Sequence, residues 1–208
     1  MSRLRAPNQP SARRAAGLTL IELMVVVAIA VIILGLAAPS FSEYIVTQRL
    51  RSIHAQLATD LQFARSEAVA RSAFVSVRFQ EGTGGMTCYV IFTRPDPTSG
   101  ADTCDCTQNP GSRCNTHPTT TTEIRTVTIP AELKVSVRTP SGQTDTLTFD
   151  ARAGTLRFPP SDSAIIVNSG FQVESSADAT RALRATVSPA GRAELCTPTG
   201  SKLGGSPC

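Results

Sequence analysis

The chain has 208 residues, with 20 basic and 16 acidic side chains, a net charge of +4 and six cysteines. That length has room for one apolar anchor and one globular domain of roughly 130–140 residues. The excess charge sits in residues 1–17, which hold Arg3, Arg5, Arg13 and Arg14 and no acid. The remainder has sixteen bases and sixteen acids, so the basic balance is no argument for nucleic-acid binding, which must rest on a local patch.

Pro7 and Pro10 argue against a stable helix in this basic leader, residues 1–17. Residues 18–38 form a 21-residue run with one charge, Glu22. At helical rise it spans roughly 30 Å, the thickness of a bilayer core. The basic flank keeps its side cytoplasmic, which places the bulk of the chain across the membrane. A carboxylate at the start of such a span is costly in lipid and needs a reason. A secretory signal peptide has a charge-free core of about 7–15 residues before a small-x-small site. Here the run is longer, holds Glu22 and ends in Leu36-Ala37-Ala38-Pro39. A plain anchor accounts for the length but not for Gly17 or Glu22.

Pro39 interrupts the run, and helical periodicity then resumes. Val46, Leu50, Ile53, Leu57, Leu61, Ala64 and Ala68 make one apolar stripe, with Gln48, Arg49, Arg51, Gln56, Asp60, Gln62 and Glu67 on the other faces. The alanines at its end let a sheet approach closely. The pattern predicts one long helix over 18–71, transmembrane to about residue 38, whose second half packs on a sheet. From residue 73 the period becomes two, with Val75, Val77 and Phe79 alternating with Ser76 and Arg78. Gly82-Thr83-Gly84-Gly85 predicts a hairpin turn into a strand at 87–93. Residues 94–122 form a long polar loop with three cysteines, a length that implies function, cross-linking or mobility. Further strands are predicted at 123–129, 133–138, 145–149, 155–158, 164–167, 170–174, 180–188 and 192–196, with a turn at Pro189-Ala190-Gly191. The fold class is therefore α+β, a long N-terminal helix packed on an antiparallel sheet in a β-rich domain, 72–208.

Cys88, Cys104, Cys106, Cys114, Cys196 and Cys208, in a translocated domain, point to an oxidising compartment and to disulfides. Six cysteines allow 15 pairings. A local loop closed by Cys114 and a C-terminal loop closed by Cys196 and Cys208 are expected, since cysteines as close as Cys104 and Cys106 rarely pair with each other. Zinc on Cys104, Cys106, Cys114 and His117 lacks a standard spacing, and calcium on Asp96, Asp102 and Asp105 lacks a loop pattern. No metal or other cofactor is expected. His54 beside the stripe and His117 in the loop are expected to be inert. The chain carries no G-x-S-x-G elbow, phosphate loop or H-E-x-x-H segment, and no enzymatic activity is expected.

Gly17, Thr19-Leu20-Ile21-Glu22-Leu23 and the apolar run to Pro39 resemble the processing site of type IV prepilins and type II secretion pseudopilins. Where that family usually has phenylalanine, this chain has Leu18. The resemblance implies cleavage between Gly17 and Leu18 by a prepilin peptidase and methylation of the new amine on Leu18. Glu22 would then neutralise the amine of a neighbouring subunit and select the axial register, because an unpaired buried charge is costly. Phe41, Tyr44, Gln48-Arg49-Leu50-Arg51-Ser52, residues 61–68, Leu147-Thr148-Phe149-Asp150 and the segment 181–196 are similar to the GspH/FimT-type minor pilins. That likeness implies a structural subunit of a type IV pilus or type II secretion pseudopilus, held by inner-membrane lipid among other pilins. Some family members bind DNA through a C-terminal Gly-Arg-x-Arg segment. Here it reads Gly191-Arg192-Ala193-Glu194, and the glutamate would repel phosphate. Arg181, Arg184 and Arg192 are the candidate DNA contacts, with Lys202 in support. A solvated strand face is the alternative account of these side chains.

Overall fold

The structure, a computed structural model, describes residues 19–96, 102–114, 121–157 and 170–208, without the side chains of 36–40. The leader, Gly17, Leu18, His117, the side chain of Pro39 and the strand predicted at 164–167 therefore lie outside the described residues. The chain divides into two compact units, Met1–Ser42 and Glu43–Cys208.

Helix α1, Leu20–Arg71, begins in the first unit. Thr19 Oγ1 accepts a hydrogen bond from the Glu22 N–H at 3.3 Å, which satisfies one of the orphan donors of the first turn. Every large apolar side chain from Leu20 to Leu34 is more than half exposed, from 52% at Val25 and Ile29 to 76% at Leu20. Among the described residues no helix is long and apolar enough to cross a membrane. The described side chains of the predicted span, 19–35, stop short of both its ends.

In the second unit α1 buries Val46, Leu50, Leu57, Leu61, Ala64 and Ala68, the predicted stripe. Two residues depart from it. His54, only 4% exposed, takes the buried place between Leu50 and Leu57, and Ile53 is partly buried. Asp60, expected on the polar face, is 2% exposed. The helix stops because Ser72 adopts a left-handed φ of 50°. Its N–H donates to the Val69 carbonyl and the Ala73 N–H to the Ala68 carbonyl, a Schellman cap built on serine in place of glycine. Ser72→Gly is expected to raise stability by about 1 kcal/mol by removing the Cβ penalty, measurable as a higher denaturation midpoint.

Among the described residues nine strands follow: β1 (Phe74–Glu81), β2 (Thr87–Arg94), β3 (Thr122–Ile129), β4 (Ser136–Arg138), β5 (Thr146–Phe149), β6 (Leu156–Arg157), β7 (Phe171–Asp178), β8 (Arg181–Val187) and β9 (Ala193–Cys196). All named pairings are antiparallel. They form two sheets where one was expected, β3-β2-β1-β5-β6 and β4-β7-β8-β9. The strand predicted at 133–138 is shorter, because residues 131–133 make a 3-10 turn and Lys134 is left-handed at φ 55°. That turn sends β4 into the second sheet, while the Val137 N–H still bonds Thr87 Oγ1 of β2 at 3.1 Å.

One core joins the helix to both sheets. Leu57, Leu61, Ala64 and Ala68 meet Val75, Val77, Phe79, Tyr89 and Ile91 of the first sheet and Val173, Ala185 and Val187 of the second. Alternation along β2 points Cys88, Val90 and Phe92 the other way, into a second cluster with Cys104, Cys106 and Cys114. Disulfides Cys88–Cys106 and Cys104–Cys114 fix the described part of the long loop there, and Cys196–Cys208 closes the C-terminal loop.

Candidate functional site

The first unit offers an apolar surface and one carboxylate. Exposed apolar side chains cover every face of the described helix from Leu20 to Leu34. A helix that is apolar all round needs lipid or other chains to cover it. Glu22 is exposed in the first turn, at the positive end of the helix dipole. The spacing Thr19-x-x-Glu22 is also a capping-box spacing, which the sequence reading missed. The carboxylate is thus placed both to favour the helix end and to meet a cation from outside.

The candidate DNA contacts lie in and beside β8 and β9, and each faces an acid. Arg181 Nη2 pairs with Asp178 Oδ2 at 2.7 Å, and its Nη1 donates to the Glu43 carbonyl at 3.3 Å. The Arg181 hydrogen bond, helped by the Thr180 N–H, holds the Asp178 carboxyl down at about 2. Arg184 Nη2 pairs with Glu174 Oε2 at 3.1 Å. Arg192 is 75% exposed and lies 3.9 Å from Glu194. Three residues apart on one strand, Arg181 and Arg184 emerge on opposite faces. The strand therefore does not bring the three arginines together as one patch.

Gly191 has a structural reason of its own. Its φ is +79°, and a Cβ there would stand 2.1 Å from the Gly154 carbonyl oxygen. Arg65 Nε of α1 donates to the same oxygen at 3.1 Å. The glycine lets the β8–β9 turn close onto the helix, whatever Arg192 does.

Two buried polar groups were not legible as such. Asp60 accepts from Tyr89 Oη at 2.7 Å on Oδ2 and from Arg125 Nη1 at 2.8 Å on Oδ1. It ties α1 to β2 and β3. Burial, then the Asp60 hydrogen bond, pushes the Tyr89 phenol far above its ordinary range, so it stays a donor. His54 Nδ1 lies 3.1 Å from Ser175 Oγ of β7. Burial lowers its pKa to about 4, with the backbone of Arg184 acting the other way, so the ring is neutral near pH 7. A signal for His54 existed: it continues the four-three spacing of the stripe between Leu50 and Leu57. For Asp60 there was none, since its partners stand 29 and 65 positions away.

Comparison with known proteins gives the same outline. Residues 55–191, more than half the chain, match the family described as type II transport protein GspH. Residues 12–38 match the prokaryotic N-terminal methylation motif. Pilin-like protein PilA1 of Thermus thermophilus is 44% identical over 77 residues, covering 36% of this chain and 47% of that protein. The chain thus spans about half the length of the curated relative it matches. Two crystal forms of the type IV minor pilin FimU of Pseudomonas aeruginosa are similar at 19% identity. One covers 70% of this chain and 90% of the other at a TM-score of 0.43. The second covers 74% and 91% at 0.47.

Proposed function

Since this chain belongs to the GspH family of type II transport proteins, we propose that it is a minor pilin or pseudopilin that initiates or caps a filament. The observation that carries this reading is the helix whose apolar side chains are exposed on every face from Leu20 to Leu34, within a methylation motif and with Glu22 in its first turn. In this reading a prepilin peptidase cuts between Gly17 and Leu18 and the new amine on Leu18 is methylated. The anchor crosses the inner membrane once, with residues 1–17 cytoplasmic and the β-rich unit periplasmic. Assembly replaces lipid around the apolar helix by the helices of other pilins. Glu22 then meets the amine of a neighbour, and the pairing sets the axial register. The role is structural, in a type IV pilus or a type II secretion pseudopilus.

Capture of DNA during uptake is the rival role. The ion pairs at Arg181, Arg184 and Arg192 take weight from it, because each charge already faces a carboxylate.

The test is recovery of an epitope-tagged full-length chain in the sheared filament fraction of its host. We expect a mature chain beginning at Leu18 by mass spectrometry, present in that fraction and lost from it when the prepilin peptidase gene is deleted. A chain retained wholly in the membrane while the major subunit is sheared off would refute the proposal.

A further inference from the structure

A cavity of about 260 Å³ opens between α1, the paired strands β8 and β9, and the C-terminal loop. Its walls include Arg51, His54, Leu183, Leu195 and Gly205. The Cys196–Cys208 disulfide and the 2.7 Å bond from the Thr197 N–H to the Ser206 carbonyl hold the loop wall in place. Gly205 lets this wall approach closely, since a Cβ there would stand 2.5 Å from Thr197 Oγ1 and force that side chain to turn. The wall is therefore built.

Three features define what fits. First, among the described residues two nitrogen bases line the cavity and no aspartate or glutamate does. Arg51 is exposed and, unlike Arg181 and Arg184, has no carboxylate partner among the described residues. Second, His54 is 4% exposed, yet its Nε2 has no hydrogen-bond partner among the described residues. Where the Ser175 hydroxyl donates to Nδ1, the ring hydrogen sits on Nε2, which lies just beneath the cleft surface, so that an acceptor reaches it only as the ring shifts toward the cleft. An orphaned buried donor is costly, so an acceptor arriving there gains that cost back. Third, Leu183 and Leu195 add apolar wall, and Leu195 is 47% exposed where a strand residue could have been polar. The volume falls below the roughly 300–1,000 Å³ of small-molecule sites, so it suits one side chain better than a cofactor.

We propose that this cleft receives one acidic side chain of a partner polypeptide, its carboxylate held by Arg51 and His54 and its methylene stem against Leu183 and Leu195. The site does not depend on the filament reading, since any assembly that presents a glutamate could use it.

The experiment uses the full chain in detergent micelles with ¹³C-labelled histidine, whose two ring signals, His54 and His117, are separable. The probe is N-acetyl-glutamate α-amide, compared with N-acetyl-glutamine α-amide and with glutarate, up to about 100 mM, a range that reaches millimolar affinities. We expect the His54 signal to move saturably with the glutamate probe and to stay in place with the glutamine probe. Arg51→Gln, an exposed change that leaves the fold intact, should weaken the response about tenfold, as expected for a charge-assisted bond. Leu195→Ser should weaken it as well. A stationary His54 signal, an equal response to the glutamine probe, or an unchanged response in Arg51→Gln would overturn the proposal. Tighter binding of glutarate than of the capped residue would overturn the choice of a polypeptide.

Discussion

Glu22→Gln is expected to enter the membrane as the unaltered chain does, to be cut and methylated, and to be all but absent from sheared filaments. Glutamine keeps the shape and the capping-box contact with Thr19, whose Oγ1 accepts from the backbone of residue 22 at 3.3 Å. It removes only the charge. If the carboxylate serves the helix end alone, glutamine will assemble normally. If it neutralises a neighbour's amine in an apolar filament core, its loss leaves that amine unpaired, at a cost of about 3–5 kcal/mol. Even a fraction of that cost corresponds to a loss of incorporation of tenfold or more, since about 1.4 kcal/mol is a factor of ten. Glu22→Ala should fail to the same degree, because the common loss is the charge. The measurement is the ratio of tagged chain in the filament and membrane fractions. Normal incorporation of Glu22→Gln would end the pairing account.

The second large effect lies at Asp60. Asp60→Ala is expected to destabilise the globular unit by about 2–3 kcal/mol, because it strands the buried Tyr89 hydroxyl 2.7 Å from where its acceptor stood. The Arg125 contact adds little, since that side chain is 45% exposed and its charge is solvated without a partner. For a domain of this size the loss should lower Tm by roughly 5–10 °C. Tyr89→Phe alone should cost less, because a carboxylate kept by Arg125 is not stranded. The double variant should cost less than the two single losses together, with a coupling of about 1–2 kcal/mol. Thermal unfolding of the four proteins gives the cycle, and a shift below about 1 °C for Asp60→Ala would show that the contact is not formed.

Local pattern was enough for much of the fold. The apolar stripe located the packed half of α1, because a 3.6-residue repeat survives any choice of partner. Period-two alternation located β1, and Gly82-Thr83-Gly84-Gly85 located the hairpin into β2, whose strands pair from Phe74↔Arg94 to Glu81↔Thr87. Residues 131–138 show where pattern fails. Leu133, Val135 and Val137 alternate as a strand would, yet a left-handed Lys134 breaks the run after a 3-10 turn. That break divides the described strands between two sheets, and no local preference encodes which sheet a three-residue strand joins.

The candidate site divides in the same way. Glu22 and its apolar helix were legible because their signal is contiguous: charge, spacing and length lie within one short segment. The arginines were legible as residues but not as a patch. Their partners Asp178, Glu174 and Glu194 come from turns and neighbouring strands, and only register sets those distances.

By itself the sequence determined the anchor pattern, the α+β class and the helix face that is buried, since each follows from a periodicity or composition that local chemistry enforces. Only the tertiary structure decided that Cys88 joins Cys106 and Cys104 joins Cys114, that Asp60 is buried under Tyr89, and that His54 is buried beside a cleft. These are pairings between distant positions. Their energy comes from which surfaces meet when helix and sheets close, and a linear pattern carries no record of that.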